Sequence, residues 1–175
     1  VAPTATTSRE RIRIGGLPID RLTFAQALDE IEALVAARKG GCIFTPNVDH
    51  VVQFTENASL RDAYARADLS LADGMPIVWA SRLLGATIPE KVSGSDLVTP
   101  LLERAAARGW RVYFLGGNEG VAATAREKVT ATFPRLQIVG TSSPRIDLSQ
   151  PPASRTEVVE AVNAAAPDLV LVAFG

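Results

Sequence analysis

Cysteine and histidine are almost missing from this chain, and each shortage closes a class of chemistry. Cys42 is the only thiol among 175 residues, so no intramolecular disulfide can form and no second Cys exists for a metal site. Its place in the apolar run Cys42-Ile43-Phe44 predicts a buried, unreactive thiol. His50 is equally alone, which removes paired imidazoles as metal ligands. Without an identifiable Ser or Cys nucleophile beside it, a structural and a catalytic role both stay open for His50. Charge of one sign is lacking as well, with 18 Lys+Arg against 19 Asp+Glu. With no dense basic run, bulk electrostatic capture of nucleic acid is not expected, and a small or uncharged partner is. No stretch reaches the roughly 18 to 20 apolar residues that span a bilayer, and no signal-peptide pattern opens the chain. The expectation is a soluble, cytoplasmic protein.

What is present is a 47% hydrophobic composition, enough for one ordinary core. Residues 1–10 are Thr/Ser-rich and expected as a disordered tail, and residues 11–175 as a single α/β domain. Because the chain starts at Val1 and stops at Gly175 just as a strand closes, missing residues are expected at both ends, the second in particular. Short β-branched or apolar runs alternate with longer amphipathic ones, the pattern of βαβ units around a mostly parallel sheet with helices on both faces. Arg11-Ile14 and Leu17-Ile19 around Gly15-Gly16 predict a small N-terminal hairpin. Thr23 with Gln26 forms a capping-box pattern for a helix running to Gly40. Strands are predicted at Cys42-Phe44, Asp68-Ala72, Arg111-Leu115, Leu136-Gly140 and Leu169-Phe174. Helices are predicted from Val48, near Leu60-Ala67, and from Met75 to Leu84, the last apolar on nearly every side and so expected to be buried. Others run from Ser95 or Thr99 to Arg108, with Pro100 as a first-turn residue, from Gly120 to about Thr132, and over about Ser154-Ala165. A Pro/Ser-rich connection covers Ser142 to Pro152.

Two of the predicted strands run into polar residues, Phe44 into Thr45-Pro46-Asn47 and Ala72 into Asp73-Gly74. Parallel strands put both ends on one edge, where open α/β folds place ligands. Asp73 is either a cap for the helix that follows or a carboxylate held at a crevice as a general base. A glycosidase-like carboxylate pair with Asp68 is excluded by distance. Five residues along one strand separate them by about 16 Å, whereas such pairs need about 5 to 10 Å. Asn47 has the same two readings, helix cap or site residue, with Asp49 and His50 in the first turn behind it. Gly116-Gly117-Asn118-Glu119-Gly120 follows a strand and opens a helix, so it is either a phosphate cradle or a tight turn capped by Asn118. It has neither the G-x-G-x-x-G nor the Walker A spacing, which disfavours dinucleotide and ATP-motor readings. In Lys91-Val92-Ser93-Gly94-Ser95-Asp96, Lys91 could meet an anion and Asp96 a sugar hydroxyl, or the segment simply starts a helix.

Taken together, Thr45-Pro46-Asn47, Ala72-Asp73-Gly74-Met75-Pro76-Ile77-Val78-Trp79-Ala80, Lys91-Val92-Ser93-Gly94-Ser95-Asp96-Leu97 and Phe114-Leu115-Gly116-Gly117 resemble the WecG/TagA/CpsF family of bacterial glycosyltransferases, from about Ile12 to Gly175. The resemblance implies a Rossmann-like domain that transfers a sugar, with inversion, from a UDP-sugar to a polyprenyl-diphosphate-linked saccharide in polysaccharide or cell-wall polymer synthesis. The sugar would be of the N-acetylmannosamine type, its uronic acid, or glucose. It also implies Asp73 as the base, with Thr45 and Asn47 beside it at the donor sugar and acceptor. Gly74, His50, Lys91, Gly94, Asp96, Gly116 and Gly117 would be substrate contacts. No cofactor is implied, and the sequence has no Asp-x-Asp to hold a cation on the diphosphate, in agreement with a metal-independent transfer. Backbone N–H groups and cations would then stabilise the departing UDP. Lys91 stands where an Arg is expected in many members, a point charge in place of a bidentate fork. Family members continue into a Pro-Lys-Gln-Glu segment and a basic C-terminal segment that associates with the inner face of the plasma membrane. Neither is in these 175 residues, so weak transfer and no membrane affinity are expected of them, and a homo-oligomer is possible. The competing reading is a non-catalytic nucleotide-binding or scaffold domain on the same fold. A nicotinamide oxidoreductase is disfavoured by the missing glycine fingerprint.

Overall fold

The computed structural model describes residues 10–145 and 155–174. The expected tail over residues 1–10 therefore lies, but for Glu10, outside the described residues, as do Ser154, Gly175 and most of the Pro/Ser-rich connection. By packing, the chain divides into two compact units, Val1–Leu97 and Val98–Gly175. Both are α/β, with parallel strands joined through helices.

The first unit opens with an antiparallel hairpin of β1 (Arg11–Ile14) and β2 (Leu17–Asp20). Its two-residue turn needs left-handed backbone at both positions, and Gly15 and Gly16 supply it with φ of 57° and 86°. Helix α1 (Phe24–Ala37) starts on the expected capping box: Gln26 N–H donates to Thr23 Oγ1 at 3.2 Å, and Thr23 N–H to Gln26 Oε1 at 2.9 Å. Strand β3 (Ile43–Phe44) pairs in parallel with β4 (Leu69–Ser70), the chain between them forming α2 (Val48–Glu56) and α3 (Ala58–Ala65). Backbone bonding outlasts the short ladder, because Leu71 N–H donates to Phe44 O and Asp73 N–H to Pro46 O. Helix α4 (Met75–Leu83) follows, with Pro76 in its first turn as expected.

The core of this unit gathers Ile12, Ile14, Leu17 and Ile19 of the hairpin with Tyr64, Ala72, Ile77, Val78 and Ile88, and Val51 and Phe54 of α2 pack against it. Each such aliphatic side chain contributes about 1.5–3 kcal/mol on burial. One carboxylate ties the hairpin to β4, the strand that leads to Asp73. Asp20, 1% exposed, receives Arg11 Nε at 2.8 Å on one oxygen and Ser70 N–H at 2.8 Å on the other. Arg11 remains a third exposed at its side chain, which screens the pair. Asp20→Asn is therefore expected to lower stability by about 1–2 kcal/mol. A thermal melt would show it as a fall of roughly 2–8 °C, and an unchanged midpoint would mean the clasp is not needed.

Two expectations fail in this region, and a third, left between two helix starts, is settled. Cys42 is exposed rather than buried, because it precedes β3 at the amino-terminal edge, where its N–H donates to Asp68 Oδ2. Partial desolvation and then the Asp68 carboxylate push its thiol above the usual value. Helix α4 is only half-buried: Ile77, Val78 and Ser81 turn inward, while Met75, Trp79, Leu83 and Leu84 stay exposed. Helix α5 (Gly94–Arg108) takes the earlier of the two expected starts, Ser95 to within one residue, rather than the Thr99 start that Pro100 suggested. Ser93 Oγ accepts from Asp96 N–H and fixes the earlier start, leaving Pro100 in the interior, where it removes one N–H.

The second unit holds β5 (Arg111–Gly116), α6 (Val121–Thr132), β6 (Gln137–Ser142), α7 (Thr156–Ala165) and β7 (Leu169–Ala173). The sheet order is β6-β5-β7, all parallel. Strand β6 runs two residues past the predicted end and carries a bulge: Val112 faces Ile138 and Tyr113 faces Gly140, so Val139 is the extra residue. The Tyr113 ring occupies the space where a side chain at 140 would stand, which only glycine leaves open.

Candidate active site

The carboxyl ends of β3 and β4 leave their sheet on one edge, and the chain beyond them supplies most of the residues singled out above. Asp73 follows β4, yet it does not cap α4. The N-cap position belongs to Gly74 at φ 105°, and no side chain bonds the first turn. The Asp73 carboxylate instead accepts the Gly94 N–H from the start of α5. Burial pushes this carboxyl above its usual value, and the Gly94 N–H and the Lys91 charge pull it back; Asp96 adds a further upward push and His50 a further pull down. The Asp73 carboxylate is thus no helix cap and is partly desolvated, with Lys91, Asp96 and His50 as its neighbours.

Asn47 does cap its helix. His50 N–H donates to Asn47 Oδ1 at 3.2 Å, and His50 Nδ1 lies 2.9 Å from the same oxygen and 3.3 Å from the Asn47 N–H nitrogen. The capping reading of Asn47 thus holds, and it also fixes the imidazole. The ring of His50 meets Tyr64 edge-on at 6.5 Å between centroids. Burial pushes the Tyr64 phenol up to about 12, so it stays neutral beside the histidine.

Thr45 and Gly94 touch closely, since a Cβ at 94 would sit 3.0 Å from Thr45 Oγ1. That contact crowds any side chain at 94 and puts the threonine hydroxyl beside the Gly94 Cα. The Lys91-to-Ser93 loop is fixed to the end of β4 by Val92 N–H donating to Ala72 O at 2.8 Å. Lys91 Nζ pairs with Asp96 Oδ2 at 2.7 Å; the hydrogen bond to Asp96 raises the lysine, and the same bond, then one from Ser93, lowers the aspartate. The first unit therefore brings Thr45, Asn47, His50, Asp73, Gly74, Lys91, Gly94 and Asp96 to one edge.

Gly116 and Gly117 belong to the second unit, at the end of β5. Gly116 has φ 108°, and a Cβ there would collide with the Ala173 carbonyl of β7, so its glycine is demanded by the sheet. Gly117 N–H donates to that same carbonyl at 2.6 Å. Asn118 does not cap α6, whose N-cap is Gly120 with no side-chain bond. Because β5 lies between β6 and β7, the chain turns to opposite sides at its carboxyl end, a topological switch point where such sheets bind ligands. An open crevice of about 1030 Å³ lies there, lined by Gly117, Asn118, Ser143, Arg145, Arg155 and Phe174 among others. Ser143 Oγ donates to Gly116 O and closes its floor. Ser143, Arg145 and Arg155 were not legible as site residues. Ser143 and Arg145 lie inside the Pro/Ser-rich stretch and Arg155 just after it, and only the pairing of β6 with β5 brings Ser143 and Arg145 to the strand ends.

The profile of the Glycosyl transferase WecG/TagA/CpsF family matches residues 12–175. The chain belongs to this family. Two curated relatives are similar to it. One, from Bacillus spizizenii (strain ATCC 23059 / NRRL B-14472 / W23), is 30% identical over 166 residues, covering 90% of this chain and 62% of the relative. The other, from Bacillus subtilis (strain 168), is 24% identical over 163 residues, covering 93% and 61%. Both are named N-acetylglucosaminyldiphosphoundecaprenol N-acetyl-beta-D-mannosaminyltransferase. The chain thus spans about three fifths of the length of these WecG/TagA/CpsF relatives. No helix among the described residues is long and apolar enough to cross a membrane.

Proposed function

We propose that this chain is the catalytic domain of an inverting glycosyltransferase that moves an N-acetylmannosamine-type sugar from a UDP-sugar to a polyprenyl-diphosphate-linked N-acetylglucosamine in bacterial polymer synthesis. The observation that carries the reading is Asp73, a strand-end carboxylate that caps nothing, is raised by burial and is oriented by the Gly94 N–H. In the transfer, Asp73 takes the proton of the acceptor hydroxyl as its oxygen attacks the anomeric carbon. The bond from that carbon to the diphosphate oxygen breaks, and UDP leaves with the electron pair. Thr45 and Asn47 border the reacting sugar, and His50, held by Asn47, adds a neighbouring imidazole. The names of the relatives support the sugar and the acceptor, and their beta linkage agrees with inversion of an alpha-linked donor.

Within the second unit, Arg145 and Arg155 bring positive charge to the crevice at the ends of β5, β6 and β7, which suits a phosphate-bearing ligand. No metal enters the proposed transfer; cationic side chains and backbone N–H groups would meet the leaving charge. Peripheral attachment at the inner face of the membrane is part of the same reading, because the acceptor is a membrane lipid.

Calorimetric titration with UDP, the UDP-sugar and ATP, paired with a transfer assay on the protein extended beyond Gly175, tests the proposal. Uridine-selective binding with product formation is expected. Uridine binding without any transfer by the extended protein would favour the non-catalytic reading, and ATP binding as tight as UDP binding would reject the UDP-sugar transferase reading.

A further inference from the structure

Helix α4 leaves the Asp73-Gly74 turn with an outer face that water should not favour. Met75 is 41% exposed, Trp79 55%, Leu83 90% and Leu84 60%. Met75, Trp79 and Leu83 are spaced four apart, so they form one stripe along the helix. Single exposed apolar residues are ordinary, but an aligned row on a nine-residue helix marks an interaction surface. The stripe carries one charge, Arg82, in the last turn. Helix α2, which starts at Asn47, shows Val48 and Val52 to solvent in the same four-residue register. Both helices pack on the β1–β2 core through Val51, Phe54, Ile77 and Val78, and both begin at the strand ends that carry the candidate base and its neighbours.

We propose that the outer face of α4 seats the polyprenyl diphosphate end of the acceptor. The inference rests on the acceptor reading above. Its order along the helix matches the order of groups in such a lipid. Starting from the hydroxyl at Asp73, the acceptor presents a sugar ring, then a diphosphate, then the first isoprene units. Starting from the same point, α4 presents Met75 and the Trp79 ring, then Arg82, then Leu83, with the exposed Leu84 at its C-cap. From Met75 to Leu83 the helix rises about 12 Å, a length comparable to a sugar and a diphosphate laid end to end. Aromatic faces suit sugar rings, a guanidinium suits a diphosphate, and the two most exposed leucines suit a branched hydrocarbon.

Two N-acetylglucosaminyl diphosphates test the seat, one ending in a farnesyl chain and one in a methyl group. The chain has two tryptophans, and Trp110 is 8% exposed, so solvent-sensitive emission reports Trp79. The farnesyl compound is expected to shift that emission to the blue and to bind more tightly than the methyl compound. Replacing both exposed leucines, Leu83→Ser with Leu84→Ser, should weaken the farnesyl compound by about tenfold or more and leave the methyl compound and UDP unaffected. Arg82→Gln should weaken both compounds, because it acts at their shared diphosphate. Equal affinities for the two compounds, or no effect of the leucine changes, would overturn the seat while leaving the transferase reading intact. A dimer in sedimentation that the leucine changes convert to monomer, with no chain-length preference, would assign the stripe to a second copy and overturn the seat as well. Failure of either compound to bind or be glycosylated, in the chain and in its extended form, would reject the acceptor reading and the seat together.

Discussion

Asp73→Asn is expected to lower sugar transfer by about 10²- to 10⁴-fold while leaving UDP affinity unchanged and the fold at least as stable. The amide keeps an oxygen for the Gly94 N–H and keeps the side-chain volume, so the geometry at the strand end survives. What it loses is the ability to accept a proton. The stability half of the prediction follows from the direction of the titration. Burial raises the folded-state value above 3.8, so the folded chain binds this proton more tightly than the unfolded chain does. Stability from that group is fully present below the unfolded value and is lost as pH rises through the folded one. At neutral pH the native carboxylate is thus a net liability, which asparagine removes. Thermal melts from pH 4 to pH 7 should show the variant gaining on the parent as pH rises. The transfer rate of the parent should fall on the acid side at a pH above the usual aspartate value. Transfer at the parental rate, or a variant that melts well below the parent at neutral pH, would remove Asp73 as the base.

Gly116→Ala is expected to be the most damaging single-methyl change in the second unit. Its Cβ would be driven into the Ala173 carbonyl, and the Gly117 N–H bonded to that carbonyl prevents the two strands from separating to make room. Overpacking of this kind costs about 1–3 kcal/mol, and a non-glycine residue at φ 108° adds about 1–3 kcal/mol. The sum, about 4 kcal/mol, corresponds to a fall of roughly 8–16 °C in Tm. Gly120→Ala separates the two terms. Gly120 also has positive φ, at 81°, but nothing lies within 4 Å of its added methyl, so only the backbone strain of about 1 kcal/mol applies. Equal shifts in the two variants would show that the contact with β7 is not what requires glycine at 116.

Features set by adjacent residues could be read before the fold was known. Thr23 with Gln26 and Gly15-Gly16 announce a helix start and a turn because every partner lies within four residues. The strand ends at Thr45 and Asp73 were legible because apolar runs stop there. The same segments also show where such reading ends. Whether Asp73 caps α4 depends on the backbone of Gly74 and on an N–H from Gly94, twenty-one residues along the chain, so the local sequence held both answers. Helix α4 is apolar on nearly every side, and composition cannot tell a face that meets the hairpin from one that meets nothing in its unit. Cys42 failed for a related reason: it belongs to an apolar run but stands one residue before the ladder begins. Arg145 and Arg155 carried no signal, because their place is made by a sheet whose strands come from distant segments.

The order β6-β5-β7 also has a temporal consequence for synthesis from the amino terminus. The β3–β4 ladder joins residues twenty-six apart, and everything it needs lies within the first 97 residues. In the second unit, β5 can pair with β6 early, but its other edge waits for Leu169–Ala173, whose partners were made 57 residues before. Contacts of such separation form slowly, and an open edge is the surface on which chains associate wrongly. The first unit can mature while the second is emerging, and the central strand of the crevice is the last element to have both its sides closed.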